Sequence, residues 1–470
     1  NGSIKTFETE YINWEQFGYD PQNTGHQHAD QGPQSAVEKW SFTAGGDIRS
    51  DPIVVNGTVY FGSDDGKFYA VYAENGTKRW EFNVGSNIRG GIVYSQGKVI
   101  FGSDANNITA LNATTGSHVW SYSSPTNVVR GGATLHDGVV YFGSHDDNVH
   151  AVNVADGTQN WTAGVNGNIP TAVSYDAGRV FAGASGGSIY GIDATTGSID
   201  WSDEPHADPG ARSPTAANGS IFFGIDDTTY HFQEYTQSGS EGWETSTGSP
   251  PFVSPAVWHS TVYYAEETGG YFRAYDEGSG SEDWSYNVGA NMYSAPAVSN
   301  ETVYFGADDN NVYALDAPAS SGGSLKWSFS TGGNVRSSPA IADGVVYVGS
   351  NDNKLYALQA NYTADVNTKD ATSITDSGAT LEGKLVSTNV STTVDVYFEW
   401  RKEGESSWSQ TTKITKVDTG NFSTSISGLS ADTTYEFRAI GDTGTRVVTA
   451  GIKNFTTTLS GLTVETDAAT

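Results

Sequence analysis

Cysteine is absent from all 470 residues, which excludes disulfides, thiolate catalysis, cysteine-ligated zinc and covalently attached haem together. Methionine occurs once, and no apolar run is long enough to cross a bilayer as a helix. Basic residues are scarce: Lys and Arg number 24 against 54 Asp and Glu, for a net charge of −30. Most of that imbalance lies in residues 1–361, which carry 15 basic and 40 acidic side chains. A chain so charged repels a polyanion, so nucleic acid is not expected as a partner. Long stretches also lack any helical period. The text opens at NGSIKTFETE without a signal peptide, so an exported form would have lost that segment before this text begins.

What is present is glycine, at 56 residues, and aromatic side chains, at 12%. Together with many Ser and Thr they favour an all-β protein, and the length predicts at least two units. A tryptophan recurs at Trp40, Trp80, Trp120, Trp161, Trp201, Trp243, Trp284 and Trp327, a period of 40 to 43 residues. That is the length of one four-stranded propeller blade. Around one period, GTVYFGSDDGKFYAVYAENGTKRW at 57–80, the text resolves into a strand at about 52–56 just before it, a turn at Asn56-Gly57, and a strand TVYFGS. An Asp-Asp-Gly turn, a strand KFYAVYA, a turn at Asn75-Gly76 and a strand beginning TKRW follow. The Asn-Gly and Asp-Gly pairs supply the positive φ angles of tight hairpins. The final copy, 336–360, stops after three strands, and a spare strand, VEKWSF at 37–42, precedes the first copy. The count therefore predicts an eight-bladed β-propeller closed by its N-terminal strand, which removes exposed sheet edge.

The pattern Ala, then Thr-Gly, then Trp, as in A70VYAENGTKRW, A110LNATTGSHVW, A151VNVADGTQNW and G191IDATTGSIDW, resembles the tryptophan-docking repeat of pyrroloquinoline-quinone-type propellers. Quinoprotein dehydrogenases and outer-membrane assembly scaffolds share that repeat. The segment INWEQFGYDPQNTGHQ at 12–27 resembles the lead-in before such rings. The resemblance spans about residues 12–360 and implies a fold in which each tryptophan packs neighbouring blades; it does not assign an activity. The scarcity of basic residues resembles secreted proteins of salt-loving microbes.

Beyond Ala360 the period ends. GLSADTTYEFRAIG resembles a fibronectin type III domain, with Leu429, Thr434 and Tyr435 leading into its tyrosine corner. Trp400 is expected in that core. VETDAAT at 464–470 matches VNTKDAT at 366–372 and reads as the start of a second sandwich. The expected organisation is a lead-in at 1–36, a propeller at 37–360, a fibronectin-like domain at 361–458 and a tail at 459–470. Sequons begin at twelve asparagines, among them Asn56, Asn75, Asn112, Asn160 and Asn218, and read either as glycan acceptors or as turn chemistry.

Aligning the starts of the innermost strands gives Arg49, Arg89, Arg130, Pro170, Ala211, Phe252, Tyr293 and Arg336 at one channel mouth, with Arg212 one position out of register. Four neighbouring arginines there are expected either to bind an anion or to pair with aspartates of the turns at Asp64-Asp65, Asp104, Asp146-Asp147 and Asp352. Phe252 and Tyr293 would add aromatic contacts. The resemblance to quinoproteins implies a cofactor clamp, a calcium site and an Asp base, none of which can be placed residue by residue. No cofactor, metal site or catalytic residue is therefore expected. His26, His28, His145 and His150 read as polar turn or surface residues.

The expected function is a noncatalytic extracellular or cell-surface scaffold, presenting a propeller on a sandwich stalk to other surface proteins, glycans or an anionic ligand. The alternatives are a quinoprotein-like oxidoreductase, a hydrolase using acidic loops of the ring, and a subunit of a surface filament or layer.

Overall fold

The computed structural model describes residues 13–20, 22–27, 32–33, 35–123, 125–204, 213–225, 230–249, 253–299, 301–318, 322–360, 364–388, 393–416, 418–444 and 447–459. Contacts divide the chain into two compact units, Asn1–Ala360 and Asn361–Thr470. Every regular element among the described residues is a β-strand.

The first unit holds eight sheets, each built on four antiparallel strands, and one of them carries a fifth strand. Ile53–Val55, Thr58–Gly62, Lys67–Tyr72 and Lys78–Asn83 make the first sheet, and the next six repeat the scheme up to Leu325–Ser330. In the eighth, Ala340–Ala342, Val345–Gly349 and Lys354–Gln359 are joined by Val37–Thr43, which pairs antiparallel with Lys354–Gln359. The innermost strands touch in sequence around a closed circuit, from the first sheet through the eighth and back to the first. The second and third strands of each sheet lie between neighbouring sheets and are covered on both faces. TVYFG at 58–62 is therefore buried at every position, whereas the outer strand Lys78–Asn83 alternates with solvent. Asn56 and Gly57, at φ +48° and +69°, close the first hairpin in the left-handed region that an Asn-Gly turn supplies.

Every outer strand carries a register shift beside its tryptophan, as between Ala70↔Trp80 and Val71↔Lys78. Such a bulge re-aims a side chain. Here it accompanies an indole laid against the next sheet: Trp40 Nε1 donates to Ala73 O at 2.9 Å, Trp80 to Ala113 O at 3.0 Å and Trp120 to Val154 O at 3.0 Å. The ring faces cover Gly76, Gly116 and Gly157, where an added Cβ would fall 2.5–2.7 Å from indole carbons. Trp161, Trp201 and Trp243 repeat the donation across to Ala194, Gln237 and Glu277. Two copies depart from it. Trp284 Nε1 finds no partner among the described residues, beside a longer turn before Gly323, and Trp327 donates to Pro33 O at 2.8 Å because the chain leaves the ring after Ala360.

The lead-in forms a belt across the inner strands. Trp14 exchanges backbone hydrogen bonds with Val54 of the first sheet, and Glu15 and Phe17 bond to Tyr94 and Ile92 of the second. Gln16 accepts from Leu135 N of the third, and Asn23 donates to Val173 O of the fourth. The carbonyls of Gln22, Thr24 and Gly25 accept from Ala216, Val257 and Val298 of the fifth, sixth and seventh. His26–Gln27 then adds a parallel fifth strand beside Val298–Ser299.

In the second unit Ala364–Thr368, Gly378–Thr388 and Gly420–Ser427 form one sheet. The other centres on Val394–Lys402 and Thr434–Asp442, and both close on a core of Leu381, Val396, Phe398, Phe437 and Phe455. Tyr435 Oη accepts from Ser430 N at 3.0 Å. Trp400 corrects the expectation of a core residue: it is half-buried at the rim, 5.9 Å from the Tyr435 ring, while Phe398, one turn of the pleat away, is the fully buried aromatic. The tail beyond Leu459, with its repeated VETDAAT, lies outside the described residues.

Candidate functional site

The aligned inner-strand starts converge on one cavity of about 160 Å³, lined by Arg49, Arg89, Arg130, Arg336, Pro170 and Tyr293. Ala211, Arg212 and Phe252 lie outside the described residues. The belt crosses the same inner strands three to five residues further along, so one of its side chains, Phe17, enters the cavity wall. Phe17 packs where Gly91 and Gly132 leave room; a Cβ on either would sit 2.7–2.9 Å from it. The space is a cup with arginines toward its mouth and a phenylalanine opposite.

Three of the arginines grip carboxylates of the preceding sheet. Arg89 holds Asp64 through Nε and one terminal nitrogen at 2.7 and 2.9 Å, Arg130 holds Asp104 at 2.7 and 2.9 Å, and Arg336 holds Asp308 at 2.8 and 2.8 Å. These are two-point charge-assisted bonds between neighbouring sheets. The hydrogen bond donated to Asp64 and that donated to Asp308 lead in holding Arg89 and Arg336 above the ordinary guanidinium range. Arg336 also lies over the Tyr293 ring at 4.5 Å. Tyr293 repeats the register with another group: burial raises its hydroxyl first, and a hydrogen bond to Glu267 of the preceding sheet adds to that. At the seam between the eighth and first sheets the turn residue is Asn351, so Arg49 Nε meets an amide oxygen at 3.3 Å. Its terminal nitrogen turns to Asp47 at 2.8 Å, with Asp64 at 3.6 Å.

The geometry thus places every described arginine of the arc against protein carboxylates, a girdle of ion pairs rather than four open guanidiniums. Asp64 and Asp104 are among the expected partners; Asp47 and Asp308 are not. Asp65, Asp146 and Asp352 serve a different purpose, holding Tyr69, His150 and Tyr356 four residues on, at 2.6, 3.2 and 2.6 Å. That corrects the reading of His150 as a turn or surface residue: it is 2% exposed, and burial lowers its pKa first. His26 is likewise buried, edge-on to Trp258. His145 is half enclosed, its pKa lowered by burial and by Arg130, and His28 lies outside the described residues.

The residue that alignment at the arginine column overlooks is Asp51, two positions further in. Its counterparts are Gly91, Gly132, Ala172, Ser213, Ser254, Ala295 and Ser338, so an acid stands alone in a ring of small side chains, and all eight line the cup. Asp51 accepts from Ser338 N at 2.6 Å across the seam. In the same register Ser338 Oγ accepts from Ala295 N at 3.0 Å and Ser213 Oγ from Ala172 N at 3.2 Å. Burial pushes the Asp51 carboxyl up to about 7, against the pull of hydrogen bonds from Ser338. Ser254, 3% exposed, has no partner for its hydroxyl among the described residues.

Comparison with known proteins bears on what such a ring is. The family described as outer membrane protein assembly factor BamB matches the chain three times, over residues 32–129, 104–233 and 231–359. Among solved structures, BamB from Moraxella catarrhalis aligns over 69% of this chain and 99% of its own at 16% identity and TM-score 0.58. A europium-containing methanol dehydrogenase aligns over 76% and 100% at 14% identity and TM-score 0.62. The computationally designed Ika8 protein aligns over 70% and 100% at 16% identity and TM-score 0.61. At these identities the likeness is one of fold, a PQQ-like propeller. No curated protein matched the sequence.

Proposed function

Because the chain belongs to the family of the outer membrane protein assembly factor BamB, we propose that it is a noncatalytic binding and scaffold protein. In this reading an eight-bladed ring, closed by Val37–Thr43, is presented outside the cell or at its surface by a fibronectin type III-like second domain. Its partners are surface proteins or glycans. The Ser430–Tyr435 hydrogen bond supports the fibronectin reading, being the contact a tyrosine corner makes. The base-poor composition supports a salt-loving source, and the exposed sequon asparagines, Asn56, Asn75 and Asn218 among them, are proposed glycan acceptors.

The observation that carries the noncatalytic reading is the locked girdle. Guanidiniums that could clamp a cofactor's carboxylates already hold Asp64, Asp104 and Asp308. A fused-ring quinone with several carboxylates also demands more room than about 160 Å³, which is below the roughly 300 Å³ at which pockets for ligands of that size begin. Among the described residues no three His, Asp or Glu side chains cluster as a metal would require. The described residues of the cup therefore supply neither free guanidiniums for the quinone nor a carboxylate cluster for its calcium. One observation favours the oxidoreductase reading, the lone channel carboxyl of Asp51, which stands where a base could act. Supplying the purified protein with quinone and calcium and following dye-linked oxidation of alcohols and sugars separates the two. No turnover and no stoichiometric quinone uptake is expected; either one overturns the scaffold reading.

A further inference from the structure

The cup is narrow, blocked on one side by Phe17, and walled by Pro170, Ala172, Val253 and Ala295, with glycines at Gly91 and Gly132. Among the described residues that line it, the one acid is Asp51, which accepts from Ser338 N and has no ion pair. An anion would have to displace Asp64, Asp104 or Asp308 from two-point pairs, or Asp47 from Arg49, which costs more than a solvated ligand returns. A neutral polyol would leave an ionised Asp51 without a counter-charge in an enclosed site. A calcium ion asks for six to eight oxygen ligands, and one carboxylate with a few hydroxyls does not supply them. An organic ammonium on a slender unbranched stem meets each condition. The stem lies along the apolar wall, the head neutralises Asp51, and Ser254, whose hydroxyl has no partner among the described residues, lines the same cavity. Long-range charge agrees, since a net −30 gathers cations at the surface.

We propose that the channel cup is a receptor for a primary alkylammonium group, with Asp51 as its anchor and the Phe17-to-Val253 wall receiving the alkyl stem. The inference deepens the binding reading and rests on it for the source of the group: a free alkylamine, or a lysine side chain of a basic protein partner. Asp51 must be ionised to serve. Among the described residues, the charged and titratable groups sharing the cup are Arg49, Arg89, Arg130, Arg336 and Tyr293, and Ser338 packs on Asp51 from the neighbouring sheet. The arginines are turned to their own aspartates, burial raises the carboxyl to about 7, and amine binding therefore displaces its proton near neutrality.

The test is calorimetric titration of the full chain with n-butylammonium, with n-butanol, and with a short unstructured peptide bearing one lysine. The ammonium is expected to bind at pH 8.5 and to lose about thirty-fold in affinity at pH 5.5, the ratio of ionised Asp51 at those pH values for a pKa of about 7. At pH 7, titrations in two buffers of different ionisation heat are expected to report release of about half a proton. Asp51→Asn is expected to lose at least ten-fold while its thermal melt shows a folded ring, and n-butanol is expected not to bind. A peptide at least ten-fold tighter than the free amine marks a protein partner, and the reverse marks a small-molecule ligand; both support the cup. Equal binding by Asp51→Asn, equal binding of butanol, an absent proton release, or no amine binding at tens of millimolar overturns it. Any of those failures leaves the scaffold reading standing, because that reading is tested separately by the quinone assay.

Discussion

At the scale of single residues the ring is held by contacts that tolerate little change. Gly116 sits at φ +71° with its Cα against the Trp80 indole, so Gly116→Ala adds backbone strain to a clash at 2.5 Å. It is expected to cost about 2 kcal/mol or more, read as a lower urea midpoint with an unchanged slope. Asp51 makes a prediction about pH. Its folded pKa, about 7, lies above the unfolded 3.8, so between those values the unfolded chain binds fewer protons and stability falls as pH rises. Asp51→Asn keeps an acceptor for Ser338 N and removes the charge. The variant is expected to melt higher than the parent at pH 8 and together with it near pH 3.5. The tryptophans and the arginine column were legible in the text because one interaction selects the same residue type at a fixed spacing. Asp51 was legible only as an exception, an acid in a column of Gly, Ala and Ser, and comparing the column two positions in would have found it. Phe17 gave no such signal, since nothing in its neighbourhood repeats.

Between elements, the girdle latches the second, third and eighth sheets to the ones before them. A double-mutant cycle on Arg89 and Asp64 is expected to give a coupling of about 1–2 kcal/mol, because the pair is bidentate and Asp64 is only 14% exposed. The cycle on Arg49 and Asp64, at 3.6 Å and with Asn351 taking the place of an aspartate, is expected to stay below about 0.5 kcal/mol. Equal couplings would remove the distinction drawn here between latch and seam. Strand order follows from hairpin spacing and could be read in advance. The bulge beside each tryptophan could not, because it depends on where the next sheet lies rather than on local preference. The path of the lead-in was hidden for the same reason: its hydrogen bonds run through backbone atoms, which any sequence provides.

For the molecule as a whole, charge and closure set the expectations. With 54 acidic against 24 basic side chains, self-repulsion opposes the compact state, and screening relieves it. The melting temperature is expected to rise as potassium chloride increases from 0.1 to 2 M, measured by circular dichroism at pH 7. Removing residues 1–43 strips the fourth strand from Lys354–Gln359 and opens an unpaired sheet edge. That truncation is expected to elute as aggregates in size-exclusion chromatography with light scattering, where the full chain elutes as a defined species. The lead-in has one more consequence, for assembly in time. Its contacts advance with the numbering, residues 14 to 27 meeting the first to seventh sheets nearly in turn. A nascent polypeptide therefore carries, ahead of the ring, a docking strip on which the first seven sheets find their places as they are made. Completion waits for Lys354–Gln359, so Val37–Thr43, made before all the sheets of the ring, is paired only when the eighth is made.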